Sequence, residues 1–152
     1  MGVDREEIRL RMSRFEEVLR RAGVKRTHQR MEIFREVART GEHPDAQTVF
    51  RRVARRIPSI SLDTVYRTLR LFQDLGLITA LGTNHERIRF DANMNDHHHF
   101  VCTRCGKTLD FHSREFDELS VPEEVRDFGR VERNHVELRG VCAKCLIKEA
   151  KE

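Results

Sequence analysis

The sequence predicts an α+β fold in two parts: a helical half of residues 1–90 that ends in a β-hairpin, and a smaller α/β half of residues 91–152. Three observations support this division. Apolar residues recur at three- and four-residue intervals through the first half, two cysteine pairs lie in the second, and the net charge changes sign between them. At 152 residues the chain has room for two small domains.

Apolar stripes at helical spacing predict helices over residues 5–22, 31–38 and 46–54. The breaks between them contain residues that interrupt helices, namely Gly41, Pro44 and Pro58. Arginines and glutamates cover the side of the first helix opposite its apolar stripe, which is typical of a helix with one buried face.

A fourth helix is predicted for "SLDTVYRTLRLFQDLG", where Ser61 can cap the start and Gly76 can end it. Its apolar stripe leaves Tyr66, Arg67 and Arg70 on a different arc. The segments "LITAL" and "RIRFD" then read as two short strands on either side of the polar loop "GTNHE". Several short helices followed by such a hairpin predict a winged helix.

The first half carries 19 Lys and Arg against 12 Asp and Glu, whereas the second carries 10 against 13. Eighteen of the 19 basic residues are arginines, which can contact phosphate and guanine through two hydrogen bonds at once. We therefore expect the fourth helix to enter the major groove of double-stranded DNA. The alternative is an ordinary helical domain with an exposed polar face, in which Tyr66 covers the edge of the core.

The four cysteines form two CxxC pairs, Cys102 with Cys105 and Cys142 with Cys145. Together they can supply a tetrahedral shell of four sulfurs, the geometry of structural Zn²⁺. The 36 residues between the pairs predict a bent helix over "SREFDELSVPEEVRDFG" and a strand over "RVERNHVELRGV". A redox CxxC is the alternative, but no thioredoxin-like βαβ pattern surrounds either pair.

A second group of ligands surrounds the first cysteine pair. In an extended strand His97 and His99 point to the same face, and we expect His98 to face solvent or the other side. Asp91 ends the preceding strand and Asp110 lies on a neighbouring one, so both carboxylates can approach the two imidazoles. This nitrogen and oxygen set suits Fe²⁺ or Mn²⁺, with Zn²⁺, Ni²⁺ or Co²⁺ as competitors. A hydrated polar loop is the alternative.

The remaining histidines are expected at the surface or behind the ligands; they are His28, His85, His112 and His135.

These motifs together resemble the ferric uptake regulator (Fur) family over nearly the whole chain. The resemblance is carried by "GVKRTHQR", "EHPDAQTVF", "SLDTVYRTLRLFQDLGLI", "RFD", "DHHHFVCTRCGKTLDF" and "GVCAKC". It implies a homodimeric, metal-dependent transcriptional regulator with an N-terminal winged helix, a C-terminal dimerisation domain, a structural zinc and a second metal that switches DNA binding.

The resemblance adds His43 of "EHPDA" to the regulatory ligands, which become His43, Asp91, His97, His99 and Asp110. Aspartate at both carboxylate positions is similar to the peroxide-sensing (PerR) branch, which implies that bound Fe²⁺ and peroxide oxidise His43 or His97. Tyr66 and Arg67 match the family motif "TVYR" directly, and the expected DNA contacts are these two residues with Thr64 and Arg70.

The expected function is therefore that of a repressor which binds operator DNA as a homodimer and senses peroxide. The alternatives are an iron-, zinc- or manganese-responsive repressor without peroxide chemistry, a metalloenzyme, and an interaction module that does not bind DNA. We do not expect an enzyme, because no carboxylate stands in an obvious position to act as a base beside the five ligands.

No apolar run approaches the roughly 18 residues that span a bilayer, and the first residues are too polar for a signal peptide. We therefore expect a cytoplasmic protein with no membrane partner.

Overall fold

The computed structural model describes residues 2–82 and 87–151 and separates the chain into two compact units, Met1–Met94 and Asn95–Glu152. The boundary lies after Met94, whereas the sequence placed it after residue 90. The difference arises because the strand that ends at Asp91 pairs with another strand of the first unit. The α+β class predicted from the sequence is confirmed.

The first unit contains four helices: α1 (Arg5–Arg21), α2 (His28–Ala38), α3 (Ala46–Ala54) and α4 (Leu62–Asp74). Each begins after a side chain that accepts hydrogen bonds from backbone N–H groups of the first turn. These caps are Asp4, Thr27, Asp45 and Ser61. After α4 the chain turns at Gly76, whose φ of 69° is a left-handed conformation that glycine adopts readily.

Three phenylalanines form the centre of this unit's core. Phe15 of α1 stacks on Phe34 of α2 with ring centroids 4.6 Å apart, and Phe72 of α4 meets both rings edge-on at 5.5 and 5.7 Å. Edge-to-face and offset-stacked arrangements are the favourable geometries for aromatic pairs. Because Phe72 lies on α4, the same cluster fixes this helix against α1 and α2.

A two-stranded antiparallel hairpin follows α4. Strand β1 (Thr79–Leu81) pairs with β2 (Arg89–Asp91), and Thr79 stands opposite Asp91. These strands confirm the predicted wing. Residues 83–86 of its loop, including His85, lie outside the described residues.

The second unit is built on a three-stranded sheet of order β4-β3-β5. Strand β3 (His98–Cys102) pairs antiparallel with β4 (Thr108–Phe111) and parallel with β5 (Glu137–Gly140). The predicted bent helix is instead two short ones, α5 (Arg114–Asp117) and α6 (Glu123–Arg126), because Pro122 stands at the start of the second. Helix α7 (Ala143–Glu149) begins inside the second cysteine pair.

Of the helices in the described residues, none is both long enough and apolar enough to cross a bilayer.

Candidate metal centres

The second unit brings all four cysteines together, and their four Sγ atoms lie within 4.8 Å of one another. The Sγ atoms of Cys105 and Cys142 are 3.8 Å apart. A tetrahedral ion with sulfur ligands at about 2.3 Å requires sulfur separations of about 3.8 Å. The cluster therefore fits a zinc ion, with Cys102 supplied by the end of β3 and Cys142 and Cys145 by the start of α7.

The four thiols differ in acidity. Hydrogen bonds from the backbone N–H groups of Cys105 and Cys142 lower the pKa of Cys102 to about 6. Hydrogen bonding to Cys142 and burial raise the pKa of Cys145 to about 12. Cys102 is thus a thiolate at neutral pH, whereas Cys145 gives up its proton when a cation takes its place.

In the first unit, His43 and Asp91 form a buried pair, with His43 Nδ1 and Asp91 Oδ1 3.6 Å apart. His43 lies in the turn before α3, and Asp91 is the last residue of β2. The His43 φ of 53° is in the left-handed region, which few residues other than glycine adopt. Strained backbone of this kind persists only where its surroundings fix it, and it is concentrated at functional sites.

In the second unit, His97, His99 and Asp110 converge on one point. His97 Nε2 lies 3.0 Å from His99 Nε2, which in turn lies 3.2 Å from an Asp110 oxygen. Two nitrogens bound at about 2.1 Å and at right angles stand about 3.0 Å apart. The predicted strand pairing explains this arrangement, since His99 stands directly opposite Asp110 in the β3–β4 ladder.

The tautomer of His97 also suits a ligand. Its Nδ1–H donates to the Asn95 carbonyl at 2.6 Å, so its Nε2 lone pair is directed at His99 and Asp110. Metal-binding histidines usually donate through their second nitrogen in this way, which fixes the orientation of the ring.

Comparison with known proteins places this chain among regulators. The model of the ferric uptake regulator (FUR) family matches residues 21–138. The chain belongs to this family.

A relative with 38% identity over 128 residues is the peroxide-responsive repressor PerR of Staphylococcus epidermidis, with 84% of this chain and 85% of that protein aligned. Among solved structures, a zinc-bound manganese uptake regulator has 32% identity and a TM-score of 0.64, covering 84% of this chain and 97% of the other. The Helicobacter pylori ferric uptake regulator Fur, at 22% identity, has a TM-score of 0.73 over 91% and 93% of the two chains. That likeness concerns the fold.

His135, expected at the surface or behind the ligands, lies behind a predicted ligand in this Fur-family chain. Its Nε2 lies 2.6 Å from His99 Nδ1, although the two residues are 36 positions apart. Burial and the nearby His99 lower the pKa of His135, which favours the neutral ring. Its Nε2 can therefore accept a hydrogen bond from the His99 Nδ1–H. Residue spacing in the sequence did not predict the contact of His135 with His99, because the segment before His135 contains no regular strand.

His98 lies on the opposite side of β3 from the two predicted ligands and is buried, not solvent-facing. Its Nδ1 accepts from the Val136 N–H at 3.2 Å, and its Nε2 donates to Asp117 at 3.0 Å. His112 is exposed and bonds the Asp96 carbonyl through Nδ1 at 3.0 Å. His28 is exposed at the start of α2.

The outer arc of α4 presents Tyr66, Arg67 and Arg70 to solvent. These side chains form one wall of a groove of about 700 Å³ whose other wall includes Arg87 and Ile88 of the wing. Three arginines and two aspartates, Asp45 and Asp74, line the groove, and this net positive charge favours a polyanionic ligand.

The fourth predicted DNA contact, Thr64, is half-buried, and its hydroxyl lies 2.9 Å from that of the cap residue Ser61. Arg67 is 80% exposed at its side chain and pairs with Asp63 at 2.8 Å.

Proposed function

We propose that this Fur-family chain is a metal-dependent transcriptional repressor that binds operator DNA as a homodimer and responds to peroxide. The observation that carries the proposal is the pair of incomplete ligand sets: His43 with Asp91 in one unit, and His97 and His99 with Asp110 in the other. The PerR relative, a peroxide-responsive repressor by name, supports the same function.

The first unit offers two donors and the second offers three, so neither set alone supplies five protein ligands. In this proposal a single ion would take all five, two carboxylates and three imidazoles. Fe²⁺ and Mn²⁺ suit such a mixed nitrogen and oxygen shell. An ion that uses both sets binds only the arrangement in which the units are held together, so metal affinity and DNA affinity are coupled reciprocally.

In this proposal α4 is the helix that reads DNA. Tyr66, Arg67 and Arg70 lie exposed on one arc, and arginine recognises guanine through paired hydrogen bonds. Thr64 contacts DNA from the first turn of the helix. The four cysteines hold a structural zinc that stabilises the second unit without taking part in the switch.

The second unit supplies the dimer contact. Phe100 stands opposite both Leu109 and Leu138 in the sheet, so the three side chains form an apolar row across all three strands. Leu109 and Leu138 are 40% and 42% exposed in the single chain. Burying such a row against a second copy is favourable by about 25 cal/mol for each Å² of apolar surface.

The likeness to a peroxide-responsive repressor supports a peroxide-sensing role for the ligand histidines. Bound Fe²⁺ would relay electrons from an imidazole to hydrogen peroxide. In the net reaction the imidazole of His43 or His97 would lose two electrons: one ring C–H would become C–OH with one peroxide oxygen, and the other oxygen would leave as water. The oxidised ring is a poorer ligand, so the units are released and DNA affinity falls.

The DNA-binding part of the proposal is tested with duplexes selected from a random pool in the presence of Mn²⁺. We expect the wild type to bind them more tightly with Mn²⁺ than without, by roughly 5- to 150-fold. His43→Ala should abolish this difference, whereas His28→Ala, which changes an exposed histidine of α2, should preserve it. Equal affinity with and without metal in the wild type would refute the metal switch.

The peroxide part is tested by peptide mass mapping of protein loaded anaerobically with Fe²⁺ and then treated with hydrogen peroxide. We expect the peptides that contain His43 or His97 to gain the mass of one oxygen atom, and protein loaded with Mn²⁺ to remain unchanged. Unmodified histidines in a protein that still shows a metal-dependent DNA affinity would identify a metal-responsive repressor without peroxide chemistry.

A further inference from the structure

The turn that carries His43 is fastened to the wing strand β2 by its backbone. The His43 carbonyl accepts from Arg89 Nη1 at 3.3 Å, and the Pro44 carbonyl accepts from the Phe90 N–H at 3.0 Å. Asp45 extends this contact as a β-bridge partner of Arg89. Three consecutive residues of the turn are thus tied to the strand that ends at Asp91.

A side-chain contact closes the same junction. The Arg87 guanidinium lies 2.9 Å from the Asp45 carboxylate and donates to Gln47 Oε1 at 2.9 Å. Asp45 also caps α3 by accepting from the Thr48 N–H at 2.7 Å. The 2.9 Å separation of Arg87 and Asp45 is that of a hydrogen-bonded ion pair, and the Asp45 side chain is buried.

These contacts bear on His43 because its backbone conformation is unfavourable. A φ of 53° is less favourable than an ordinary conformation for a residue with a Cβ, so neighbouring contacts help to maintain it. A change to an ordinary conformation would turn the imidazole away from Asp91. The distance between His43 Nδ1 and Asp91 Oδ1 is now 3.6 Å. Arg87 also lines the groove beside α4.

We propose that Arg87 and Asp45 form a latch that holds the His43 turn against the wing strand and so keeps His43 in position to bind metal together with Asp91. Arg87 is then a positioning residue for the metal response, in addition to any contact that it makes with DNA. This inference rests on the proposed function, in which His43 and Asp91 are metal ligands.

The test measures Mn²⁺ affinity without DNA, from the electron paramagnetic resonance signal of unbound Mn²⁺. Asp45→Asn removes the charge that holds Arg87 but keeps a good helix cap, and Arg87→Gln breaks the latch without altering the cap. We expect each variant to bind Mn²⁺ about two- to fivefold more weakly, the range of a partly exposed ion pair. The double variant should be no weaker than either single one, because all three lack the same interaction.

Matched controls remove the same charges elsewhere. Asp74→Asn changes a carboxylate that lines the same groove at the end of α4, and Arg51→Gln changes an exposed arginine of α3. Both should bind Mn²⁺ as the wild type does. A residue that served DNA alone would leave Mn²⁺ affinity unchanged in its variant and weaken only the affinity for DNA at saturating metal.

Wild-type Mn²⁺ affinity in both Asp45→Asn and Arg87→Gln would overturn the latch and leave the proposed function intact. A wild-type protein that binds no Mn²⁺ would refute the proposed function, and the latch with it.

Discussion

Arg56 completes a buried ion network in the first unit, and we expect its removal to lower the free energy of unfolding. Its guanidinium contacts both Glu32 and Glu36 of α2. The side chains of these two glutamates are 4% and 0% exposed, whereas that of Arg56 is 40% exposed. The hydrogen bond to Glu36 raises the pKa of Arg56, which keeps the guanidinium charged under all ordinary conditions.

Breaking a buried ion pair by removing one partner costs about 3–5 kcal/mol. Two features reduce this figure for Arg56→Ala. The lost group is partly hydrated, and each glutamate keeps a second partner, Arg35 at 2.6 Å and Arg39 at 2.8 Å. We therefore expect a loss of about 2 kcal/mol in the free energy of unfolding of the first unit. In a unit of this size, that lowers the melting temperature by about 8–16 °C.

The assay is urea and thermal unfolding of the intact protein, followed by far-ultraviolet circular dichroism. Arg55→Ala, which changes the exposed neighbouring arginine, should stay within about 0.5 kcal/mol of the wild type. Glu36→Gln combined with Arg56→Ala should recover part of the loss, because a neutral amide needs no positive partner. A melting temperature for Arg56→Ala equal to that of Arg55→Ala would show that Arg35 and Arg39 suffice and would refute this reasoning.

Three further predictions concern the zinc site, the α4 cap and acid stability. Cys145→Ser should lose the bound zinc, measured by elemental analysis, and much of the second unit's structure; full zinc retention would contradict the four-sulfur site. Ser61→Ala should cost about 1 kcal/mol in urea unfolding and Ser61→Asp almost nothing, because aspartate also caps; equal losses would exclude capping. The lowered pKa of Asp45 means that its carboxylate stabilises the fold above the unfolded value of 3.8 and that this contribution is lost as the pH falls through the folded value. Asp45→Asn should therefore flatten the decline of the urea midpoint below about pH 4, and an unchanged decline would contradict the assignment.

The helices of the first unit could be predicted because their signals are local. Ser61 at the start of α4 and Gly76 beyond its end determine its limits, and both act within a few residues of the helix. The apolar stripe identified Phe72 as buried, but not its edge-on contact with Phe15 and Phe34, since those partners lie on other helices.

The second unit was harder to predict because its order depends on long-range contacts. The segment between the cysteine pairs forms helices of only four residues, each too short to show an apolar period. His135 reaches His99 through this segment, and no short-range pattern in the sequence indicates that meeting. The left-handed φ of His43 was equally hidden, because histidine adopts this conformation only in a small minority of cases.

Strand β3 connects the two predicted metal sites and explains why three consecutive histidines occur in one segment. Cys102 stands at its end opposite Gly140, which leads directly to the second cysteine pair, so a zinc held there fixes the register of β3 against β5. At the other end, His99 stands opposite Asp110. A slip of one residue would exchange the faces and present His98 in place of the paired imidazoles. His98 opposes that slip, because its buried ring is bonded to Asp117 and to the Val136 N–H on the far side of the sheet. In this reasoning the cysteine cluster and His98 determine the geometry of His97, His99 and Asp110 without being ligands of the same ion.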